Sequence, residues 1–102
     1  MSADVIDLQA KRRGDAEDVV RASIRALLAG RGMSVDDLAA AAGLARSTLH
    51  RRLSSKGTAH AFYAGEVAVI ADVLDSSVQE IYSGLGGRFT STTNGYRKGR
   101  AA

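Results

Sequence analysis

Apolar residues recur at helical spacing in the first third of the chain. Four of them fall at positions i, i+4, i+7 and i+8 and so share one helical face: Val20, Ile24, Leu27 and Leu28. Asp15 precedes them as a candidate N-cap, with Asp18 three residues later, and Gly30 and Gly32 follow. The pattern therefore predicts a first helix that begins near Asp15 and ends at these glycines.

A second, shorter helix is predicted after the glycines, followed by a tight turn. Ser34 is its candidate N-cap, and Asp37 stands at the third helical position, where a carboxylate completes a capping box. The inner face of this helix carries small and apolar residues: Leu38, Ala39 and Ala42. Gly43 is expected to end the helix in the left-handed conformation, after which Leu44 points back to the core.

A third and a fourth helix follow, separated by a polar loop. The third covers residues 46–53, with Leu49 and Leu53 four positions apart on its inner face. The fourth covers residues 63–74, and Phe62 is expected to pack just before it. Its apolar face is formed by Val67, Ile70, Ala71 and Leu74.

Ser77 and Glu80 form a capping box for a short fifth helix, so the predicted fold class is all-α, a compact five-helix domain at residues 15–83. Residues 1–14 are expected to be a flexible basic arm. Residues 84–102 are rich in Gly, Ser and Thr and are expected to be a disordered basic tail, with a hairpin at its Asn-Gly pair as the alternative. A domain this small is marginal alone, so dimerisation or ligand binding should stabilise it.

Charges are sorted into blocks along the chain, although the net charge is only +3. Residues 40–60 contain four bases and no acid, residues 61–83 four acids and no base, and residues 84–102 four bases and no acid. Such sorting favours a cationic face for a polyanion, with chance clustering in a short chain as the alternative.

Composition and side-chain chemistry exclude several classes of function. The chain has no cysteine, and no apolar run approaches the roughly 20 residues of a membrane span. Its two histidines do not suffice for a typical metal site. Ser47 and His50 share one helix, but no nearby carboxylate orients the imidazole, so a hydrolytic triad is not expected. We therefore expect no catalytic residue, cofactor, metal or small-molecule ligand, and a location in the bacterial cytoplasm or nucleoid.

The segment 34–54 has the spacing of a helix-turn-helix, in which one helix braces a second that lies in the major groove of DNA. Ala39 provides a small residue where the helices cross, and Gly43 tolerates positive φ at the turn. Leu49 and Leu53 turn inward, so the opposite face points outward. That face carries the candidate base readers: Arg46, Ser47, His50 and Arg51. An arginine that bridges guanine O6 and N7 contributes roughly 1–3 kcal/mol of discrimination per base pair.

Candidate contacts to the DNA backbone flank the base readers. They are Ser34, Thr48, Arg52, Ser54, Ser55, Lys56 and Thr58. The exposed amides at the start of the second helix also suit phosphate. A basic cluster in the arm is placed to follow phosphate or the minor groove, with an ordinary solubilising terminus as the alternative. This cluster consists of Lys11, Arg12 and Arg13.

Over residues 16–83 the layout resembles the lambda repressor-like family of Cro/C1-type (XRE) helix-turn-helix domains. The resemblance is carried by the segment 34–54 and by a second pattern in the last two helices. That pattern comprises Phe62, Glu66, Ile70, Ala71, Leu74, Ser77, Glu80 and Ile81. The resemblance implies sequence-specific binding to a double-stranded DNA operator, usually as a homodimer on a near-palindrome, and control of transcription. It also assigns base reading to the four outward residues of the third helix and backbone contact to Ser54.

Three positions depart from the family pattern. Val35 replaces a glutamine that often supports the recognition helix, and Arg52 stands where an aliphatic residue is common. Ala45 replaces a capping residue before the third helix, at a cost of about 1 kcal/mol. Arg51 and Arg52 therefore both remain candidates for the outward position.

The predicted function is transcriptional regulation by a phage or prophage repressor of the Cro or immunity type. One alternative is an antitoxin that keeps the DNA-binding fold and neutralises a toxin with a terminal segment. Another is an excisionase-like architectural factor that bends DNA. A helical module that binds only protein is the last, and it alone predicts no affinity for DNA at low salt.

Overall fold

The computed structural model describes residues 3–84, with side chains from Leu8 onward, and confirms the all-α class. Five helices follow one another in this part of the chain: α1 Ala3–Arg31, α2 Val35–Ala42, α3 Arg46–Ser54, α4 Ala64–Val73 and α5 Val78–Ser83. Within residues 3–84, no helix has the length and apolar character to cross a bilayer. The predicted tail and its hairpin alternative lie outside the described residues.

Helix α1 begins at Ala3, so the predicted helix start near Asp15 is wrong. Residues 9–13 are good helix formers, and the chain contains no proline to interrupt them. Lys11 Nζ lies 3.2 Å from Asp15 Oδ2 one turn later, a pairing that supports the helix. Asp15 therefore lies inside α1 rather than at its N-cap, and residues 3–14 continue the helix where a non-helical arm was expected.

Helix α2 is bounded by the signals that predicted it. Ser34 Oγ accepts from the Asp37 amide at 3.0 Å, and Asp37 Oδ2 accepts from the Ser34 amide at 3.2 Å. Gly43 ends the helix with φ +71°, a conformation in which a side chain would be strained. The Leu44 amide then donates to Ala39 O at 2.9 Å, which turns the chain towards α3.

The predicted apolar faces meet in one core between the helices. Helix α1 packs against α5 and α3, and α2 packs against α3 and α4. The buried apolar residues are Val20, Ile24, Leu27, Leu28, Leu38, Ala39, Leu49, Leu53, Phe62, Val67, Ile70, Ala71, Leu74 and Ile81. Burial of these side chains fixes α2 and α3 against each other and leaves one face of α3 in solvent.

Candidate nucleic-acid interface

Helix α3 has one buried face and one exposed face. Leu49 is 0% exposed and Leu53 is 4% exposed, so both hold the helix in the core. The candidate base readers of this helix are all exposed: Arg46, Ser47, His50 and Arg51. The structure thus brings all four candidate base readers onto one accessible surface, and their contact with bases stays a prediction.

The N-terminus of α3 has no side-chain cap. Ala45 occupies the N-cap position with φ −67° and ψ 136° and offers no side-chain oxygen. The first amides of a helix lack an intrahelical partner, so those of α3 are available to a phosphate oxygen. Thr48 lies half-buried in this first turn, and Ser34 lies exposed at the start of α2.

A carboxylate on α2 lies between two of the candidate base readers. Asp36 Oδ1 is 2.8 Å from His50 Nε2, and Asp36 Oδ2 is 3.5 Å from Arg46 Nη1. The hydrogen bond from His50 is the main reason that the pKa of Asp36 lies below its ordinary value, with the charge of Arg46 acting in the same direction against some desolvation. Asp36 is therefore ionised at neutral pH.

The expectation that no carboxylate orients His50 is therefore wrong. Asp36 is distant from His50 in sequence and reaches it only because α2 and α3 pack together. Ser47, the other member of the rejected triad, makes no hydrogen bond with His50 in the described part of the chain. The nucleophile–base contact that a hydrolytic triad requires is not formed there.

The loop after α3 presents part of the predicted backbone-contacting set. Ser54, Lys56 and Thr58 are exposed. Ser55 Oγ donates to Arg51 O at 2.8 Å, so the proton that a phosphate contact would need is used within the protein. This bond removes Ser55 from the expected donors.

Comparison with protein families also identifies this pair of helices as part of a helix-turn-helix domain. A family model described as the Cro/C1-type HTH DNA-binding domain matches residues 23–83, more than half of the chain. The chain belongs to the Cro/C1-type helix-turn-helix DNA-binding family. Comparisons with curated proteins and with solved structures found no match. The resemblance drawn from the sequence is confirmed, and DNA is the ligand class of this Cro/C1-type domain.

In this Cro/C1-type domain, α1 holds the loop after α3 through a residue that the sequence pattern did not reveal. Arg21 is 4% exposed and donates to Arg52 O at 2.6 Å, to Gly57 O at 2.9 Å and to Ala59 O at 2.7 Å. Asp18 Oδ1 lies 3.0 Å from Arg21 Nη1 and accepts from the Gly57 amide at 2.9 Å. Arg21 therefore positions the backbone that carries the predicted phosphate contacts of the loop.

Arg52 is paired within the Cro/C1-type domain, which corrects its expected role as a phosphate contact. Its side chain is 15% exposed, and Nε lies 2.9 Å from Glu66 Oε1 in an ion pair. Its Nη1 donates to Ala61 O at 3.0 Å, and the guanidinium stacks 4.7 Å from the ring centroid of Tyr63. Arg51 is the exposed member of the arginine pair, so the outward position belongs to Arg51.

The basic cluster of the expected arm lies on α1 and is exposed: Lys11, Arg12 and Arg13. Directly after it, a Cβ on Gly14 would lie 3.4 Å from Gly57 Cα, so the helix passes close to the loop after α3. The cluster therefore precedes the point where α1 meets the loop after α3, and its contact with DNA stays a prediction.

Proposed function

We propose that this Cro/C1-type protein reads a specific double-stranded DNA sequence through α3 and represses transcription as a phage or prophage regulator. The observation that carries the proposal is the division of α3 into two faces. Leu49 and Leu53 are buried, whereas Arg46 and His50 are exposed. The core therefore holds the helix rigidly while its polar face is free to enter a major groove.

Base reading rests on the chemistry of the exposed face. Arg46 and Arg51 supply guanidinium donors that match guanine O6 and N7. Ser47 donates or accepts, and His50 offers a ring nitrogen. One such helix spans only a few base pairs, so we propose that a homodimer places two copies about one helical turn apart on a near-palindromic operator in the bacterial cytoplasm.

Backbone contacts supply affinity without sequence information. The proposed donors are the uncapped amides of α3 and the side chains of Ser34, Thr48, Ser54, Lys56 and Thr58. The cluster of Lys11, Arg12 and Arg13 extends this cationic surface along α1. Such contacts release counterions, so binding should weaken steeply as the salt concentration rises.

The test is selection of binding sites from a random duplex library with the full chain, at near-physiological salt. Enrichment of two inverted half-sites about one helical turn apart supports the dimeric repressor. A single asymmetric or clustered site that the protein bends would instead indicate the architectural role. No enrichment, together with no duplex binding at low salt, would overturn DNA reading altogether.

A promoter assay separates repression from DNA binding alone. The selected site is placed over a promoter, and transcription is measured with and without the protein. Repression by the wild type and loss of repression in Arg46→Ala support the proposal. Arg31→Ala is the matched control, because Arg31 lies at the far end of α1, beside Asp75. Equal loss of repression in the two variants would contradict the proposal.

A further inference from the structure

We propose that Asp36 is a positioning residue that sets base specificity, because its carboxylate holds the side chains of His50 and Arg46 for their contacts with DNA bases. The inference rests on the proposed reading of DNA by α3. Each carboxylate oxygen serves one partner: Oδ1 lies 2.8 Å from His50 Nε2 and Oδ2 lies 3.5 Å from Arg46 Nη1. A single side chain of α2 thus restrains two base readers of α3.

The backbone that carries Asp36 is itself held in place on both sides. The capping box between Ser34 and Asp37 fixes the first turn of α2 around it. Leu38 and Ala39 follow within the same helix and are 0% exposed, so α2 cannot shift relative to α3 without disrupting the core. Long exposed side chains lose rotamer entropy when they bind DNA, and restraint before binding lowers that cost.

The hydrogen bond also decides which ring nitrogen of His50 is free. An ionised carboxylate only accepts, so the proton of this bond must lie on Nε2. In the neutral form of the imidazole, Nδ1 is then the free nitrogen, and it is an acceptor. An acceptor matches the exocyclic amino group of adenine or cytosine in the major groove. We therefore expect the base read by His50 to be adenine or cytosine.

The negative charge of Asp36 has a second effect, on the affinity for DNA of any sequence. Its side chain is 51% exposed beside the surface that would face DNA phosphates. Repulsion of phosphate weakens binding to every sequence equally, whereas the oriented contacts of His50 and Arg46 strengthen binding only to the correct site. The charge therefore lowers the affinity for unrelated DNA, while the oriented contacts set the ratio of specific to nonspecific affinity.

A purely structural role predicts a different result. Acidic residues in the first turn of a helix stabilise it through the helix dipole. Loss of that effect would lower the melting temperature of the Asp36→Ala variant without changing its order of preference among bases. The test therefore measures base preference and stability separately.

The experiment compares wild type, Asp36→Ala, Asp36→Asn and His50→Ala, together with the double variant Asp36→Ala/His50→Ala. Asp72→Ala is the charge-matched control, because Asp72 is an exposed aspartate on α4. Each protein is titrated with the selected site, with every single-base variant of that site and with an unrelated duplex. Thermal unfolding and the ¹⁵N shifts of the His50 ring are recorded without DNA.

We expect Asp36→Ala to reduce discrimination at the bases read by His50 and Arg46 by about 3- to 10-fold, the range of one hydrogen bond, and to bind the unrelated duplex more tightly. Asp36→Asn should keep discrimination at the His50 base, because the amide oxygen still accepts from Nε2. In the His50→Ala background, removal of Asp36 should change that position no further. The ¹⁵N shifts should show the Nε2–H tautomer in the wild type and a mixture in Asp36→Ala.

Unchanged base discrimination in Asp36→Ala would overturn the inference while the proposed function stands. The inference is also overturned if Asp72→Ala has the same effects as Asp36→Ala. It is overturned as well if Asp36→Ala weakens binding to all duplexes equally while its melting temperature falls. A wild type that enriches no sequence overturns the proposed function itself, and the specificity role of Asp36 with it. The ring-nitrogen shifts then still show whether Asp36 orients His50.

Discussion

Arg52 O accepts a hydrogen bond from Nε of Arg21 at 2.6 Å, which joins α1 to the last turn of α3 across 31 residues of sequence. A second arginine of α1 acts in the same place, since Arg25 Nη2 donates to Leu53 O at 3.0 Å. The last carbonyls of a helix lack intrahelical donors and carry partial negative charge. The two arginines of α1 therefore cap the C-terminal end of α3.

Replacement of Arg21 by alanine should lower the free energy of unfolding by about 2–3 kcal/mol. The reason is that three carbonyl groups lose a charged donor, two of them in a loop where water replaces it in part. Urea denaturation followed by circular dichroism measures the change. Hydrogen exchange should also accelerate in residues 55–61, because Arg21 holds that loop.

Two variants serve as controls for this prediction. Arg12→Ala removes an exposed arginine of the same helix and should change stability by less than about 0.5 kcal/mol. Arg21→Lys keeps the charge, but one ammonium cannot reproduce the planar fork that reaches several carbonyls, so most of the loss should remain. Equal stability of Arg21→Ala and Arg12→Ala would show that the hydrogen bonds of Arg21 contribute nothing to the stability of the fold.

Local signals predicted the centre of the fold well, because each depends on a few neighbouring residues. Ser34 and Asp37 form the predicted capping box, and Gly43 has the left-handed conformation that the tight turn requires. The predicted start of α1 is wrong because the good helix formers of residues 9–13 carry the helix through Gly14 to Asp15, which is an N-cap residue by type only. A capping residue does not by itself begin a helix.

The polar contacts were beyond prediction for a different reason. Arg21 binds groups 31 to 38 residues away, and such pairings leave no periodic pattern in the sequence. Its local signals are its place beside Val20 at the edge of the buried face of α1 and its i,i+3 pairing with Asp18. Asp36 and His50 likewise meet only because α2 and α3 cross at a particular angle, which residue spacing does not specify.

An N-cap introduced before α3 should stabilise the domain. Ala45 already has the extended backbone of an N-cap residue but no side-chain acceptor. Ala45→Ser adds a hydroxyl that can accept an amide of the first turn, so the free energy of unfolding should rise by about 1 kcal/mol. Chemical denaturation measures the gain.

The matched control is Ala41→Ser, which makes the same change at an exposed position within α2. Serine is a weaker helix former than alanine there, so stability should fall by a few tenths of a kcal/mol. A loss of stability in Ala45→Ser as well would show that another group already satisfies the first amides of α3.

The ion pair of Asp36 should give stability a dependence on acid pH. The hydrogen bond from His50 lowers the pKa of Asp36 in the folded protein, so folding favours the ionised carboxylate. The contribution is fully present above the unfolded pKa of about 3.9 and is lost as pH falls through the lower folded pKa. The stability difference between wild type and Asp36→Asn should therefore shrink as pH falls below about 4.

Thermal unfolding from pH 2 to pH 6, at low and at high salt, measures this difference. Because Asp36 is exposed, added salt should reduce the effect. A difference that persists undiminished to pH 2 would contradict the assignment, since a protonated Asp36 no longer pairs with His50 or Arg46 as an anion.

Arg46 and Lys56 should affect DNA binding in distinct ways. Arg46→Ala should abolish preference at the base pair that Arg46 reads, a loss of roughly 1–3 kcal/mol, and leave weak salt-dependent binding. Lys56→Ala should weaken binding to all duplexes by a similar factor and reduce the slope of log K against log salt by about 1. Titration of the selected site and its single-base variants at several salt concentrations separates the two. Arg46 stands at the start of α3, where a recognition helix first meets the bases. If Arg46→Ala kept its full base preference, another face of α3 would therefore be the reading face.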